Sequence, residues 1–85
     1  MNQEVFELIS LIQNKIKVFE WHTVRFDEYK IGIRCDSCHI RRQLKGGGDS
    51  HMNLSISQRD LANKFEGEKL ENFKFKLEEA LLEII

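Results

Sequence analysis

Cys35 and Cys38, separated by two residues, are the side chains in this sequence whose types and spacing best fit a chemical site. Two thiolates at this spacing in a tight turn can bind one metal ion, and the spacing is typical of zinc sites. His51 and His22 are the candidates for the remaining two ligands, with His39 as an alternative to His22 that would point to the opposite side of a regular strand. The alternative is that both thiols are small side chains packed in or near the core. We therefore expect no cofactor and keep zinc as the alternative.

Other chemistry at the same residues fits the sequence less well. The run from Cys35 to His39 has the form of a haem attachment pattern, which requires an exported protein and a helix after the histidine. A thioredoxin-like role requires the cysteines at the start of a helix, where a thiolate is stabilised. The flanking residues alternate as strands do, which disfavours both roles. No other set of residues combines a nucleophile with a base, so the sequence predicts a protein that is not an enzyme.

The elements that position these cysteines are predicted to be strands. Residues 29–36 alternate strictly between apolar and polar side chains, which indicates a strand with one buried face. The sequence CDSC can close a hairpin, and the alternation then continues to Leu44. An earlier strand is predicted over residues 18–26, whose buried face is left open, and a later one over residues 52–56. The result is an antiparallel meander of three to four strands.

Helices are predicted on both sides of the meander. Asn2 can cap a first helix over residues 3–16, and Ser57, with Asp60 three residues later, can cap another. Gly67 is expected to end that second helix. One apolar stripe then defines the last helix: Leu70, Phe73, Leu77, Ala80, Leu81 and Ile84. The order of a helix, a meander and two C-terminal helices predicts a single α+β domain over residues 1–85.

Residues 56–65 resemble the first helix of a helix-turn-helix, as found in winged-helix and phage-repressor DNA-binding proteins. The matching features are Ala62, at the expected helix crossing, and Gly67, near the turn. The resemblance implies that the next helix reads DNA. That helix is apolar and net acidic, whereas contact with phosphates requires Lys and Arg. A capped helix followed by a core helix is the alternative interpretation.

Charge is distributed unevenly along the 85 residues, although the net charge is only −1. Residues 21–46 carry six basic and three acidic side chains, and residues 58–85 carry five basic and seven acidic ones. The basic part includes a candidate binding surface formed by Lys30, Arg34, Arg41, Arg42 and Lys45. Four aromatic residues near it could stack on single-stranded bases while these cations follow the phosphates: Phe19, Trp21, Phe26 and Tyr29.

The absence of a catalytic set and the segregated charge lead to the main functional hypothesis. We expect a small regulatory protein that docks stoichiometrically on a macromolecular partner, as an inhibitor or adaptor of phage or mobile-element type does. Phe75, Leu82 and Ile85 lie off the apolar stripe and could meet a protein partner or a second copy. The alternative is a nucleic-acid-binding module that uses the basic hairpin, with or without zinc. Elemental analysis and the mass in solution would distinguish these hypotheses.

The composition also bears on cellular location. Hydrophobic residues make up 41% of the chain and charged residues 32%, as in ordinary globular proteins. No apolar run approaches the roughly 18–20 residues that a bilayer requires, and the first residues lack the basic and apolar regions of a signal peptide. We therefore expect a cytoplasmic protein with reduced thiols and no membrane partner.

Overall fold

The chain forms an α+β fold in a computed structural model, which describes residues 2–42 and 54–84. One helix precedes a four-stranded antiparallel sheet and two helices follow it, so the predicted fold class is confirmed. The strands lie across the sheet in chain order. The elements are α1 (Gln3–Lys15), β1 (Trp21–Phe26), β2 (Tyr29–Arg34), β3 (Cys38–Arg42), β4 (Leu54–Ile56), α2 (Gln58–Ala62) and α3 (Gly67–Ile84).

Helix α1 begins where the sequence predicts and ends one residue earlier. The side-chain oxygen of Asn2 accepts a hydrogen bond of 3.1 Å from the backbone N–H of Val5. This bond satisfies one of the amide groups that the start of a helix leaves unpaired. Val5, Ile9 and Ile12 are fully buried, as their spacing of three and four residues predicts. Ile16, expected to be helical, is extended with a ψ of 134°.

Strand β1 starts three residues later than predicted. Residues 17–20 form a turn instead, in which the backbone N–H of Glu20 donates a 3.0 Å hydrogen bond to the carbonyl three residues earlier. Val24 and Phe26 are each only 4% exposed, whereas Trp21 is 65% exposed. The even-numbered residues of β1 therefore face the core and the odd-numbered ones face away from it, which the sequence left undecided.

Strands β2 and β3 form the predicted hairpin. Ile31 and Ile33 of β2 are fully buried and pair with Ile40 and Cys38 of β3. At the turn, the backbone N–H of Arg34 donates a 2.8 Å hydrogen bond to the carbonyl oxygen three residues later. The predicted continuation of β3 to Leu44 lies outside the described residues, as do the first two residues of the predicted fourth strand.

The two C-terminal helices are present, but the boundary between them differs from the prediction. Ser57 caps α2 as expected, because its Oγ accepts a 3.0 Å hydrogen bond from the backbone N–H of Asp60. The sequence predicts that this helix ends after Phe65, where Gly67 would break it, but α2 already ends at Ala62. Gly67 is instead the first residue of α3 and has a φ of +60°. A residue without a Cβ adopts this backbone conformation at no steric cost.

The helix-turn-helix interpretation finds no support in the geometry of these helices. Helix α2 has only five residues. The side of α3 that points away from the core carries exposed acidic residues, including Glu71, Glu78 and Glu79. Carboxylates at these positions would repel the phosphates of DNA. The alternative interpretation, a capped helix followed by a core helix, agrees with the fold.

The core lies between one face of the sheet and the helices. At its centre the ring of Phe26 lies 4.9 Å from that of Phe65 and 5.6 Å from that of Phe73, centroid to centroid. Helix α1 packs against both α2 and α3, and α3 packs against β1. Every buried residue of the described strands points to this side: Val24, Phe26, Ile31, Ile33, Cys38 and Ile40. The other face of the sheet is covered by no helix of the described residues.

Candidate binding surface on the sheet

The face of the sheet that points away from the helices is the candidate functional site, hereafter the open face. Because side chains alternate along each strand, the register of the four strands fixes which residues belong to it. None of them is buried. The described residues of the open face are Trp21, Thr23, Arg25, Lys30, Gly32, Arg34, His39, Arg41 and Ser55.

Positive charge is concentrated on the open face. Four of its residues are Lys or Arg, and none of the described outward positions is acidic. The register places Arg25 opposite Lys30, and Lys30 opposite Arg41. These three cations therefore form a row across three neighbouring strands, which lie about 4.8 Å apart. Like charges directly opposite each other destabilise a sheet, so the stability of the fold does not explain the pair of Arg25 and Lys30.

A shallow hollow of about 80 Å³ lies beside the row of cations, with Gly32 among the residues that line it. A Cβ added to Gly32 would have no atom within 4 Å, and the residue does not have a positive φ. Neither space nor backbone geometry therefore requires a glycine here. The hollow exists because this position has no side chain. The remaining lining residues are Trp21, Thr23, Lys30, His39 and Arg41.

Only part of the predicted aromatic surface belongs to this site. Trp21 lies on the open face and is 65% exposed, and Phe19 in the preceding turn is 95% exposed. Phe26 is buried, and Tyr29 packs on Phe65 with ring centroids 5.1 Å apart. The expectation that Phe26 and Tyr29 stack on bases is therefore wrong, because both rings belong to the core side of the sheet. One aromatic side chain, Trp21, remains among the described residues of the open face.

The predicted basic surface is also divided by the fold. Lys30, Arg34 and Arg41 lie on the open face. Arg42, the neighbour of Arg41 in β3, points to the other side, where its Nε donates a 2.7 Å hydrogen bond to Oε2 of Glu28. This hydrogen bond and the charge of the carboxylate raise the pKa of Arg42. Arg42 therefore does not belong to the open face, and Lys45 lies outside the described residues.

Sequence reasoning missed one cation of the open face, Arg25. It lies in β1, two residues after Thr23 and four after Trp21, so the alternation along the strand places all three on one side. The signal was present in the sequence, but it could be used only once the buried face of β1 was known. With Arg25 included, the row of cations extends to the edge strand of the sheet.

The two cysteines lie at the end of the hairpin and differ in environment. Both are free and both line an open cavity of about 540 Å³. Cys38 is 1% exposed, and its Sγ accepts a hydrogen bond of 3.7 Å from Nε2 of Gln13. Burial raises the pKa of Cys38 from 9.0 to about 11. At neutral pH this thiol is therefore protonated and is a weak nucleophile.

His22, one of the two histidines predicted as metal ligands, is not brought to the cysteines. His22 of β1 pairs with Ile33 of β2, which in turn pairs with Cys38 of β3, so a strand separates His22 from Cys38. The Nε2 atom of His22 lies 3.7 Å from Oε2 of Glu83 in α3. His51 lies outside the described residues. Within residues 2–42 and 54–84, no group of three or more His, Cys, Asp or Glu side chains is placed to hold a metal ion.

A second exposed surface lies on the outer side of α3. Phe75 is 61% exposed and Leu82 is 75% exposed. Their separation of seven residues corresponds to two helical turns, so they share one face of the helix. Ile85, the third residue predicted for this surface, lies outside the described residues.

Comparisons of the chain with protein families, with characterised proteins and with solved structures returned no match. In the described part of the chain, no helix has the length and apolar character that crossing a bilayer requires. Functional inference therefore depends on the two exposed surfaces themselves.

Proposed function

We propose that this protein is a non-catalytic binding module that docks stoichiometrically on an anionic macromolecular partner through the open face. The observation that supports the proposal is the presence of four cations and no acid at the described outward positions. Clustered positive charge attracts an anionic partner from solution and raises the association rate. The exposed ring of Trp21 adds the type of contact that often dominates binding energy.

The electrostatic cost of the row of cations supports the same proposal. Arg25 and Lys30 lie directly opposite each other in the sheet, where repulsion lowers the stability of the free protein. Negative charge supplied by a partner would relieve that repulsion in the complex. The arrangement is therefore unfavourable for folding alone and favourable for binding an anion, as expected where function opposes stability.

Titration with heparin, a soluble polyanion, tests the proposal, and the chain offers a matched pair of variants. Arg34→Glu changes the open face, while Arg59→Glu makes the same change on the exposed part of α2. Counterion release predicts about a fivefold loss of affinity per lost contact near 0.1 M salt. We expect at least that loss for Arg34→Glu, a smaller salt dependence, and nearly wild-type binding for Arg59→Glu.

Two outcomes would contradict the proposal. Equal losses in Arg34→Glu and Arg59→Glu would show that net charge, and not the open face, determines binding. Failure of the wild-type protein to bind heparin even at low salt would remove the proposed attraction altogether. Circular dichroism of both variants controls for loss of the fold.

A second candidate function is docking of a protein partner or a second copy on the outer side of α3. The observation that favours it is the exposure of Phe75 and Leu82 on one face of that helix. Sedimentation across a range of concentrations tests self-association, which Leu82→Ser should weaken because it removes most of an apolar contact. A monomer at every concentration, with or without the substitution, would count against a homodimer.

A further inference from the structure

We propose that the anionic partner is a single-stranded nucleic acid, and that one of its bases lies in the hollow over Gly32 against the ring of Trp21. This inference rests on the proposed function and assigns a ligand class to the same surface. Three features of the open face carry it: the shape of the hollow, the position of the tryptophan and the arrangement of the cations.

The hollow gives a ligand access to the backbone of the sheet. Gly32 leaves the surface bare between Thr23 of β1 and His39 of β3, its partners in the register. A planar group can therefore lie close to the backbone at this point. Trp21 lines the same hollow and is 65% exposed, so its ring is available for stacking. Stacking of a base on an aromatic side chain contributes about 1–3 kcal/mol and tolerates any base.

The cations lie on both sides of this hollow along the strands. On one side of the pair formed by Thr23 and Gly32 lies the row of cations that contains Lys30. On the other side, Arg34 lies opposite Trp21. A strand of nucleic acid that places a base in the hollow can thus place phosphates near cations before and after it. This alternation of ring and charge matches a nucleotide chain, in which every base is accompanied by a phosphate.

Other polyanions fit the surface less well. An acidic peptide supplies carboxylates but has no flat ring associated with each charge. A duplex has its bases already stacked and paired, so it cannot present the face of a base to Trp21 without unstacking. Single strands expose that face at no such cost. The combination of Trp21 and a bare glycine therefore favours single strands over duplexes and acidic proteins.

Gly32 is the residue that separates this inference from simple attraction between charges. A Cβ at this position would meet no atom within 4 Å, and β-branched residues favour the strand conformation. Gly32→Val should therefore keep or increase stability while it fills the hollow. If a base lies in the hollow, Gly32→Val must weaken binding of the nucleic acid. The substitution removes no charge and no contact within the free protein, so the loss would have to come from the filled hollow.

The experiment uses the fluorescence of Trp21, which is the single tryptophan of the chain. Titration with an oligodeoxythymidine of about 12 nucleotides, within the site sizes known for sheet-based binders, should quench this fluorescence as the base stacks. With a labelled oligonucleotide, Trp21→Ala and Gly32→Val should each lose affinity roughly tenfold. Trp21→Phe should retain most of it because a ring remains. Heparin binding should change little in all three variants.

The outcomes separate this inference from the proposed function. Suppose that heparin binds as proposed but the oligonucleotide does not quench the fluorescence of Trp21, or that Trp21→Ala and Gly32→Val bind the oligonucleotide like the wild type. Either result disproves the base site and leaves the docking function standing. The inference would also be overturned if a duplex or polyglutamate bound with the same affinity as the oligonucleotide and quenched the fluorescence of Trp21 to the same extent. If neither heparin nor the oligonucleotide binds, both proposals fail.

Discussion

Replacing Phe73 by alanine is expected to lower the free energy of unfolding by about 3–5 kcal/mol. The ring is fully buried, and its centroid lies 5.6 Å from that of Phe26 and 5.0 Å from that of Phe65. The substitution removes this packing and leaves a cavity that a close-packed core fills only in part. A domain of this length has a free energy of unfolding of roughly 4–13 kcal/mol. Urea denaturation followed by circular dichroism should show a much lower midpoint or an unfolded protein.

Helix α3 supplies the control for this prediction. Phe75→Ala removes the same atoms two residues away, from a side chain that is 61% exposed. Its effect on the free energy of unfolding should stay within about 0.5 kcal/mol. Similar losses for the two variants would contradict the orientation of α3 and, with it, the exposed surface formed by Phe75 and Leu82.

The substitution Lys30→Glu is expected to raise stability and abolish most polyanion binding. A carboxylate at position 30 would lie between Arg25 and Arg41, its partners in the register. The repulsive pair of Arg25 and residue 30 becomes attractive, which should increase the free energy of unfolding by about 0.5 kcal/mol. The charge of the row falls from +3 to +1, so two positive charges are lost to the ligand. At about fivefold per charge, the affinity near 0.1 M salt should fall roughly 25-fold.

Opposite changes in stability and affinity distinguish this prediction from general damage to the fold. Thermal or urea unfolding gives the first quantity, and titration with heparin or an oligonucleotide gives the second. Lys30→Gln is the control, because it removes one charge without supplying a new partner for the arginines. It should cost about fivefold in affinity. A destabilised Lys30→Glu protein, or one that binds like the wild type, would show that the three side chains do not act together.

Much of the fold could be predicted because periodicity in the sequence reflects burial directly. The alternation around Ile31 and Ile33 allows only one face of a strand to be buried, and the spacing of Val5, Ile9 and Ile12 allows only one face of a helix. These patterns are set by local geometry. The boundaries were predicted less well, since the ends of α1 and α2 depend on tertiary contacts that the pattern does not contain.

The candidate site was predicted less completely, and the reason is again physical. In β1 both faces carry large apolar side chains, so the sequence could not show that Phe26 is buried while Trp21 is exposed. The choice depends on which face meets the helices. Arg25 was missed as a result. Arg42 was misjudged for a different reason: it was grouped with Arg41 by charge, although adjacent residues of a strand point to opposite sides of the sheet. The hollow over Gly32 depends on neighbours in two other strands and cannot be derived from local sequence.

The alternation of core and surface positions in β1, β2 and β3 has a consequence for how this domain can change. Thr23, Gly32 and His39 can vary in size and charge without altering a single buried contact of the described core, because their neighbours along the chain carry that packing. Selection, natural or in the laboratory, can therefore change ligand preference without disturbing the packing of the core. The sheet is suited to serve as a scaffold on which new specificities are built by changing a few outward residues.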